Sequence, residues 1–421
     1  MTYNAVVCRI RTKPHPNGDR IQLGNCLGFQ VVVGLDTIDN ELGVYFNTDG
    51  VLETEFCEKN NLFPIYDENG KKIGGGFFDP NKPRVRAQSF RGEKSFGYWT
   101  PLKSFLYTKY DLSLLKEGDT FTELNGHKIC HKYINEATRQ AGQKASNSRK
   151  ETVMFKKHVE TEQYRFNKDR IQVGDLITIT LKLHGTSHRI AHVLEPIKLN
   201  WIQKLINRYL PLKQNEWTYL NGSRNVILEH SDGNGYYGSD AFRFKAVDRL
   251  VGNLYKGETV YGEIVGWVSE SKPIMSSVDT SSLGDKSIQR QYGKTMIYQY
   301  GCIPGECKFY AYRITRTNED GVVVELPWKS VKQRCDQLGI SYVPEIHDSF
   351  VFDGELSSLT DLIDANTDGV DLIDSSHIRE GVVIRVDRGL ETFFLKNKSH
   401  TFLVLEGVAK ESETIDIEEA A

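Results

Sequence analysis

Asp175-Leu176-Ile177-Thr178-Ile179-Thr180-Leu181-Lys182-Leu183-His184-Gly185-Thr186-Ser187 reads as a strand with two unlike faces that runs into a tight turn. Ile177, Ile179, Leu181 and Leu183 fall on one side and Thr178, Thr180, Lys182 and His184 on the other, the period of two that marks a half-buried strand. Lys182 leaves the polar face just ahead of Gly185, where the missing side chain lets backbone approach a ligand closely. A lysine so placed becomes a nucleophile when its amine is made neutral, and neighbouring positive charge or loss of water does that. Alone, Lys-x-His-Gly is a weak pattern, because a surface lysine at a strand end looks the same.

The surrounding 421 residues predict two to three domains. A hydrophobic fraction of 39%, a charged fraction of 26%, 20 Tyr and 20 Phe describe a soluble globular chain rather than a disordered one. The N-terminus has no apolar core of a signal peptide, and no window approaches the run of about 20 apolar residues that a membrane span needs. A cytoplasmic protein without a membrane partner is expected, acting as a monomer. The seven cysteines are odd in number and scattered, with Cys302 and Cys307 nearest to a zinc spacing, so reduced structural thiols are expected. A net charge of −3 does not advertise a nucleic-acid binder, but acids in a tail over 411–421 mask local basic segments. Arg139 to Arg170 holds nine Lys or Arg and Lys82 to Lys94 holds five, and patches, not net charge, steer phosphates. No GxxxxGK[ST] loop is present, which argues against a P-loop enzyme.

Residues 1–125 read as short strands (Ala5 to Ile10, Phe29 to Val33, Leu42 to Phe46, Arg84 to Phe90) between Gly, Asn, Asp and Pro turns, which predicts a small β-barrel. A polar, basic stretch over 126–150 reads as a linker. A larger unit spans 151–410, with helical spacing at Ile202, Leu205, Ile206 and Tyr209 and again at Val247, Leu250, Val251 and Leu254. The fold class is α+β.

Within that unit the lysine turn is followed, in order, by Ser223-Arg224, Tyr261-Gly262-Glu263, Phe309-Tyr310-Ala311-Tyr312, Glu380-Gly381-Val382-Val383 and Lys396-Asn397-Lys398-Ser399. In this order the set resembles the nucleotidyl-transfer motifs of the covalent nucleotidyltransferase superfamily: DNA ligases, RNA ligases and mRNA capping enzymes. His184, where DNA ligases and capping enzymes usually carry Asp, points to the RNA ligases. The N-terminal stretch resembles the OB domain that precedes the catalytic domain in the fifth RNA ligase family. Only 23 residues follow Lys398 in this sequence, too few for the barrel that DNA ligases and capping enzymes carry there.

The resemblance implies an OB-like barrel before a nucleotidyltransferase domain of antiparallel sheets flanked by helices, and an ATP-dependent RNA ligase that seals 3′-hydroxyl and 5′-phosphate ends, with a duplex nick as preferred substrate. A DNA ligase, a capping-type guanylyltransferase and a non-catalytic nucleic-acid-binding or sensor protein are the alternatives. Lys182 would carry AMP, with ATP and Mg²⁺ or Mn²⁺ as cofactors. Lys396 and Lys398, two apart on one strand face, would clamp the α-phosphate and help keep Lys182 neutral. Glu380 would organise the metal, and Glu263 the ribose or the metal; hard cations take carboxylate and phosphate oxygens and retain waters. Tyr312 would stack on adenine, with Phe309 on the opposite strand face as the other possibility; Arg313 stands where the family usually has Asp. His184 and Gly185 would line the nucleotide, and Arg224 would reach the nucleotide or the incoming 5′-phosphate. Arg84, Arg86 and Arg91 are candidates for duplex contact. Lys157 to Gln163 lies where relatives contact the base. Two segments, Glu195 to Trp217 and Ser269 to Pro304, exceed the family pattern and are either substrate-selecting loops or neutral insertions.

Overall fold

A computed structural model describes residues 3–134, 149–197, 201–202, 215–228, 237–283, 286–389 and 391–411. The expected linker over 126–150, the helix around Leu205 to Tyr209 and the acidic tail fall largely or wholly outside these residues. The chain divides into two compact units, one holding 3–134 with Leu403–Glu411 and the other holding the described residues from 149 to 402.

In the smaller unit three of the four expected strands form near their expected bounds, and the expected Arg84 to Phe90 shortens to Ala87–Phe90, paired with Glu93–Phe96; one antiparallel sheet has the order Tyr98–Pro101, Leu42–Phe46, Ala5–Arg9, Thr120–Phe121 and a second the order Arg11–Pro14, Ile21–Cys26, Phe29–Gly34. Leu42–Phe46 is buried on both faces: Val44 and Phe46 join a cluster with Val7, Phe56 and Phe105, while Tyr45 joins another with Ile10, Val31 and Trp99. A barrel has one interior. Two clusters lie on opposite faces of this strand, and the pairings among the described residues form separate open sheets where the strand spacing predicts a small barrel.

The larger unit is a mixed α+β fold built on two sheets. One has five strands in the order Glu162–Gln163, Glu391–Lys398, Gly381–Arg388, Leu176–Lys182, Glu345–Val351. Its alternation sorts the side chains: Ile177, Ile179, Val382, Ile384, Val386 and Leu395 make one core, capped by Leu359 and Ile363 of the helix Leu356–Thr367, spaced one turn apart. The other sheet is centred on Thr186–Pro196, Glu258–Ser269 and Cys307–Thr317. The turn Leu183-His184-Gly185 is the crossing from the first sheet to the second. That crossing explains Gly185, since a Cβ there would lie 2.4 Å from the Ile264 carbonyl oxygen and 3.0 Å from Glu263 Cγ. Its small size serves contact with a neighbouring strand. The helix after Ser239-Asp240 runs over Ala241–Val247, a turn earlier than the apolar spacing predicts, and continues as a 3₁₀ turn over Asp248–Leu250. All seven cysteines are free thiols, and six are buried. Among the described residues no helix is long and apolar enough to cross a membrane.

Candidate active site

A cleft lies between the two sheets of the larger unit. Its floor follows from strand register. Thr180 pairs with Val383 and Val383 with Lys396, making one row; Lys182 pairs with Gly381 and Gly381 with Lys398, making the next. Gly381 has φ +151°, and a Cβ there would lie 2.2 Å from the Asn397 carbonyl oxygen, so the middle of the lysine row carries no side chain. The neighbouring Glu380, buried to 1% exposure, bonds both lysines: its Oε1 lies 2.6 Å from Lys182 Nζ and 3.5 Å from Lys398 Nζ. The other oxygen, Oε2, is 3.7 Å from His184 Nδ1 and accepts no hydrogen bond among the described residues.

This arrangement changes the electrostatic expectation. Cations alone would drive Lys182 toward the neutral amine, but a carboxylate oxygen lies 2.6 Å from it, which favours the ammonium. Lys396 and Lys398 act in the opposite sense.

The facing wall comes from the second sheet. Ser187 pairs with Glu263, and its hydroxyl donates to Glu263 Oε2 at 3.1 Å. Tyr261 pairs with Arg313 and Gly262 with Ala311, which leaves Tyr312 as the extra residue of a β-bulge. A bulge re-aims side chains, and here both Tyr312 and Arg313 line the cleft. Burial, then the Glu263 carboxylate, push the Tyr312 phenol well above its ordinary range, so it stays neutral; Ser187 bonds it. Arg313, in place of the family's Asp, is held by Glu325 through Nε to both oxygens at 2.9 Å and lies over the Tyr261 ring.

Of the expected residues, Lys182, Arg224, Glu263, Tyr312 and Lys396 line the cleft, and Glu380, Lys398 and His184 join Lys182 through the Glu380 carboxylate. Two expectations are corrected. Phe309 is buried on the far face of its strand, over Gly262 and edge-on to His188, because the strand keeps its alternation up to the bulge. Arg84 is buried, pairs with Asp49 at 2.7 Å and donates to the Gly407 carbonyl, so it is committed inside the smaller unit and not presented to a duplex. Arg91 is exposed and Arg86 half-buried. Among the described residues no three His, Cys, Asp or Glu cluster as metal ligands.

The sequence points to the Lys157 to Gln163 segment without choosing among its residues; His158 brings it to the cleft, 5.4 Å edge-on to Tyr312. Three further residues carry no signal in the sequence. Trp328 lines the cleft from the start of the helix Trp328–Leu338, which carries no motif, and Arg385 from the strand Gly381–Arg388, beyond the motif at that strand's start. Arg243 fixes the start of the second-sheet strand, donating to the Ser187 carbonyl at 3.0 Å and to Thr186 Oγ1 at 2.6 Å while paired with Asp240. Only long-range packing assembles these.

Arg243 also bears on stability. Burial, then Arg243, pull the His188 imidazole down to about 3, while its Nε2 bonds Asn221 Oδ1 at 3.0 Å. The unfolded chain takes up a proton below about pH 6.5 that the folded chain refuses, so stability is full above that pH and falls as pH drops, by at most about 1.4 kcal/mol per pH unit for one group. Denaturant titrations between about pH 5 and 6.5 should show this slope in the native protein and a flatter one in His188→Gln. Equal slopes would remove His188 from the acid response.

The sequence matches the RNA ligase family over residues 175–399, more than half of the chain. The chain belongs to the RNA ligase family. It is an RNA ligase family enzyme, and the matched span opens with the lysine strand and closes after Lys398. None of the curated proteins matches this RNA ligase. Among solved structures it resembles Naegleria gruberi RNA ligase: a mutant with AMP and Mn (TM-score 0.58, 18% identity, 95% of this chain and 97% of that one), a mutant apo form (0.59, 18%, 98% and 100%), and a mutant with ATP and Mn (0.56, 18%, 96% and 98%). At that identity the likeness concerns the fold.

Proposed function

We propose that this RNA ligase is ATP-dependent, stores AMP on Lys182 and seals a 3′-hydroxyl to a 5′-phosphate at nicks in a duplex, with RNA on the hydroxyl side. The observation that carries the reading is the pair Lys182 and Lys398 joined by the Glu380 carboxylate at the foot of a cleft whose other wall offers Tyr312, Glu263 and Arg224. The Lys182 amine attacks the α-phosphorus of ATP; a phosphorus–nitrogen bond forms and the bond to pyrophosphate breaks. AMP then passes to the 5′-phosphate, and the 3′-hydroxyl displaces it. Each step is a phosphoryl transfer, so positioning and charge neutralisation count for more than acid–base chemistry.

Lys396 and Lys398 neutralise charge on the transferring phosphate. Tyr312 supplies a ring against the base, at roughly 1–3 kcal/mol per stacked base. Glu263, already accepting from Ser187, takes a ribose hydroxyl, and Arg224 offers a planar fork to phosphate. A divalent cation fits Glu380, whose buried Oε2 accepts no hydrogen bond among the described residues, and Naegleria RNA ligase has been solved with ATP and Mn. Bound there with phosphate oxygens and water, it would supply charge neutralisation; Glu263 is the second carboxylate in reach of the nucleotide. In the smaller unit the exposed Arg91 and half-buried Arg86 are the remaining candidates for backbone contact.

A panel of nicked duplexes with RNA or DNA on each side tests the reading. Sealing is expected with ATP and with RNA on the hydroxyl side, because a terminal 2′-OH gives the protein a group that DNA lacks. Equal sealing of an all-DNA nick would remove the RNA assignment, and charging from GTP in preference to ATP would favour a capping-type reaction.

A further inference from the structure

The segment Ser269 to Pro304, which the sequence leaves between a selective loop and a neutral insertion, ends in two tyrosines that are wholly buried. Tyr300 Oη accepts the backbone N–H of His184 at 2.7 Å, in the turn that carries Lys182. Its ring lies 4.5 Å from His377, and Tyr298 stands edge-on to His184 at 4.6 Å and 5.2 Å from His377. The same segment is pinned to the loop before Glu380: the Gly301 N–H donates to Asp374 Oδ2 at 2.8 Å. That loop is closed by the bridge between Val370 and Ile378, and two residues beyond the bridge is Glu380. One segment, anchored by two buried tyrosines, therefore touches both the turn holding the nucleophile and the loop holding the carboxylate bonded to it.

Tyr300 also has φ +52°. A bulky residue in the left-handed region is strained and persists only where its surroundings hold it, a condition that gathers at functional sites. A neutral surface insertion has no reason to bury two aromatic residues or to hold one of them in that conformation.

We infer that Tyr300, with Asp374 anchoring its segment, is a positioning residue that sets the Lys182 turn against Glu380 for lysine adenylylation. The hydroxyl fixes the backbone of His184, the ring braces His377, and the Asp374 bond keeps the two loops in one register. Neither residue is required to touch ATP. The inference rests on the ligase reading above.

Single-turnover formation of the AMP adduct, measured against ATP concentration with Mg²⁺, tests it on Tyr300→Phe, which removes only the hydroxyl. The maximal rate is expected to fall about tenfold, with KM for ATP within about twofold and the melting temperature close to that of the native protein. A native rate in Tyr300→Phe overturns the inference, and so does a slow variant whose KM or melting temperature has moved in step, since that is a general loss of structure. Should Tyr300→Phe fail to fold, Asp374→Ala, which frees the segment without touching the hydroxyl, is expected to show the same split, and a native rate there is the overturning result. Native protein that forms no adduct at all would overturn the ligase reading, and this inference with it; an adduct formed at native rate by the variants overturns the positioning role alone.

Discussion

Lys182→Ala protein given ATP and Mg²⁺ is expected to acquire no AMP, and Lys182→Arg is expected not to restore it. The pair of variants separates two jobs that one side chain does in this site. Arginine keeps the positive charge and can still pair with Glu380, which lies 2.6 Å from Lys182 Nζ. Its guanidinium stays protonated at any ordinary pH, so it offers no lone pair to phosphorus. If Lys182 were only a counter-ion to Glu380, arginine would recover much of the activity. If it is the nucleophile, both variants fall to background, a loss on the order of 10⁴-fold or more. The native adduct should be labile in acid and stable in alkali, as a phosphorus–nitrogen bond requires. The final joining step offers a control, because RNA already carrying AMP on its 5′-phosphate bypasses the lysine. Both variants should seal it, and an adduct on either would remove Lys182 from the mechanism.

What could be read in the sequence was what depends on near neighbours along the chain. The alternation in Ile177 to Lys182 and in Val382 to Lys398 predicts which side chains share a face, and the register of the two strands on either side of Gly381 follows that alternation. Most pieces of the ordered motif set lie on strands with a period of two, and that alternation turns their polar residues toward the cleft. What escaped the reading depends on departures from that period or on distant packing. Phe309 and Tyr312 are three apart and were assigned opposite faces, but the bulge at Tyr312 also turns Arg313 into the cleft, and nothing local announces a bulge. Arg84 looked like a solvated cation in a basic stretch, yet it is buried by Asp49 and Gly407, the latter 323 residues away. The smaller unit shows the limit again: short strands between turns fit an open sheet with a core on each face as well as they fit a barrel.

Glu380→Gln is the second large effect, and two consequences of the change oppose each other. Removing the carboxylate takes away a charge that favours the ammonium form of Lys182, while Lys398, which pairs with the same oxygen, remains. Unit charges about 4 Å apart near a protein surface interact by about 4 kcal/mol, so the neutral amine becomes more available and the rise of rate with pH should move to lower pH. Against this stands the loss of a carboxylate oxygen able to take a metal and of the bond that aims Lys182, and removing a preorganised charge of this kind costs about 10²–10³ in rate. The second effect wins if proton removal is not the slow event, giving a variant slower than native at every pH yet with its profile displaced to the acid side. Gln is close in shape to Glu, and the backbone carbonyl of residue 380 still accepts the Ser399 N–H, so the fold should persist. A variant as fast as native at equal metal concentration would take Glu380 out of the reaction. A slow variant with an unmoved pH profile would show that Lys182 does not feel the carboxylate during adenylylation, and the ion pair seen at 2.6 Å would then belong to a resting arrangement that dissolves before the nucleophile attacks.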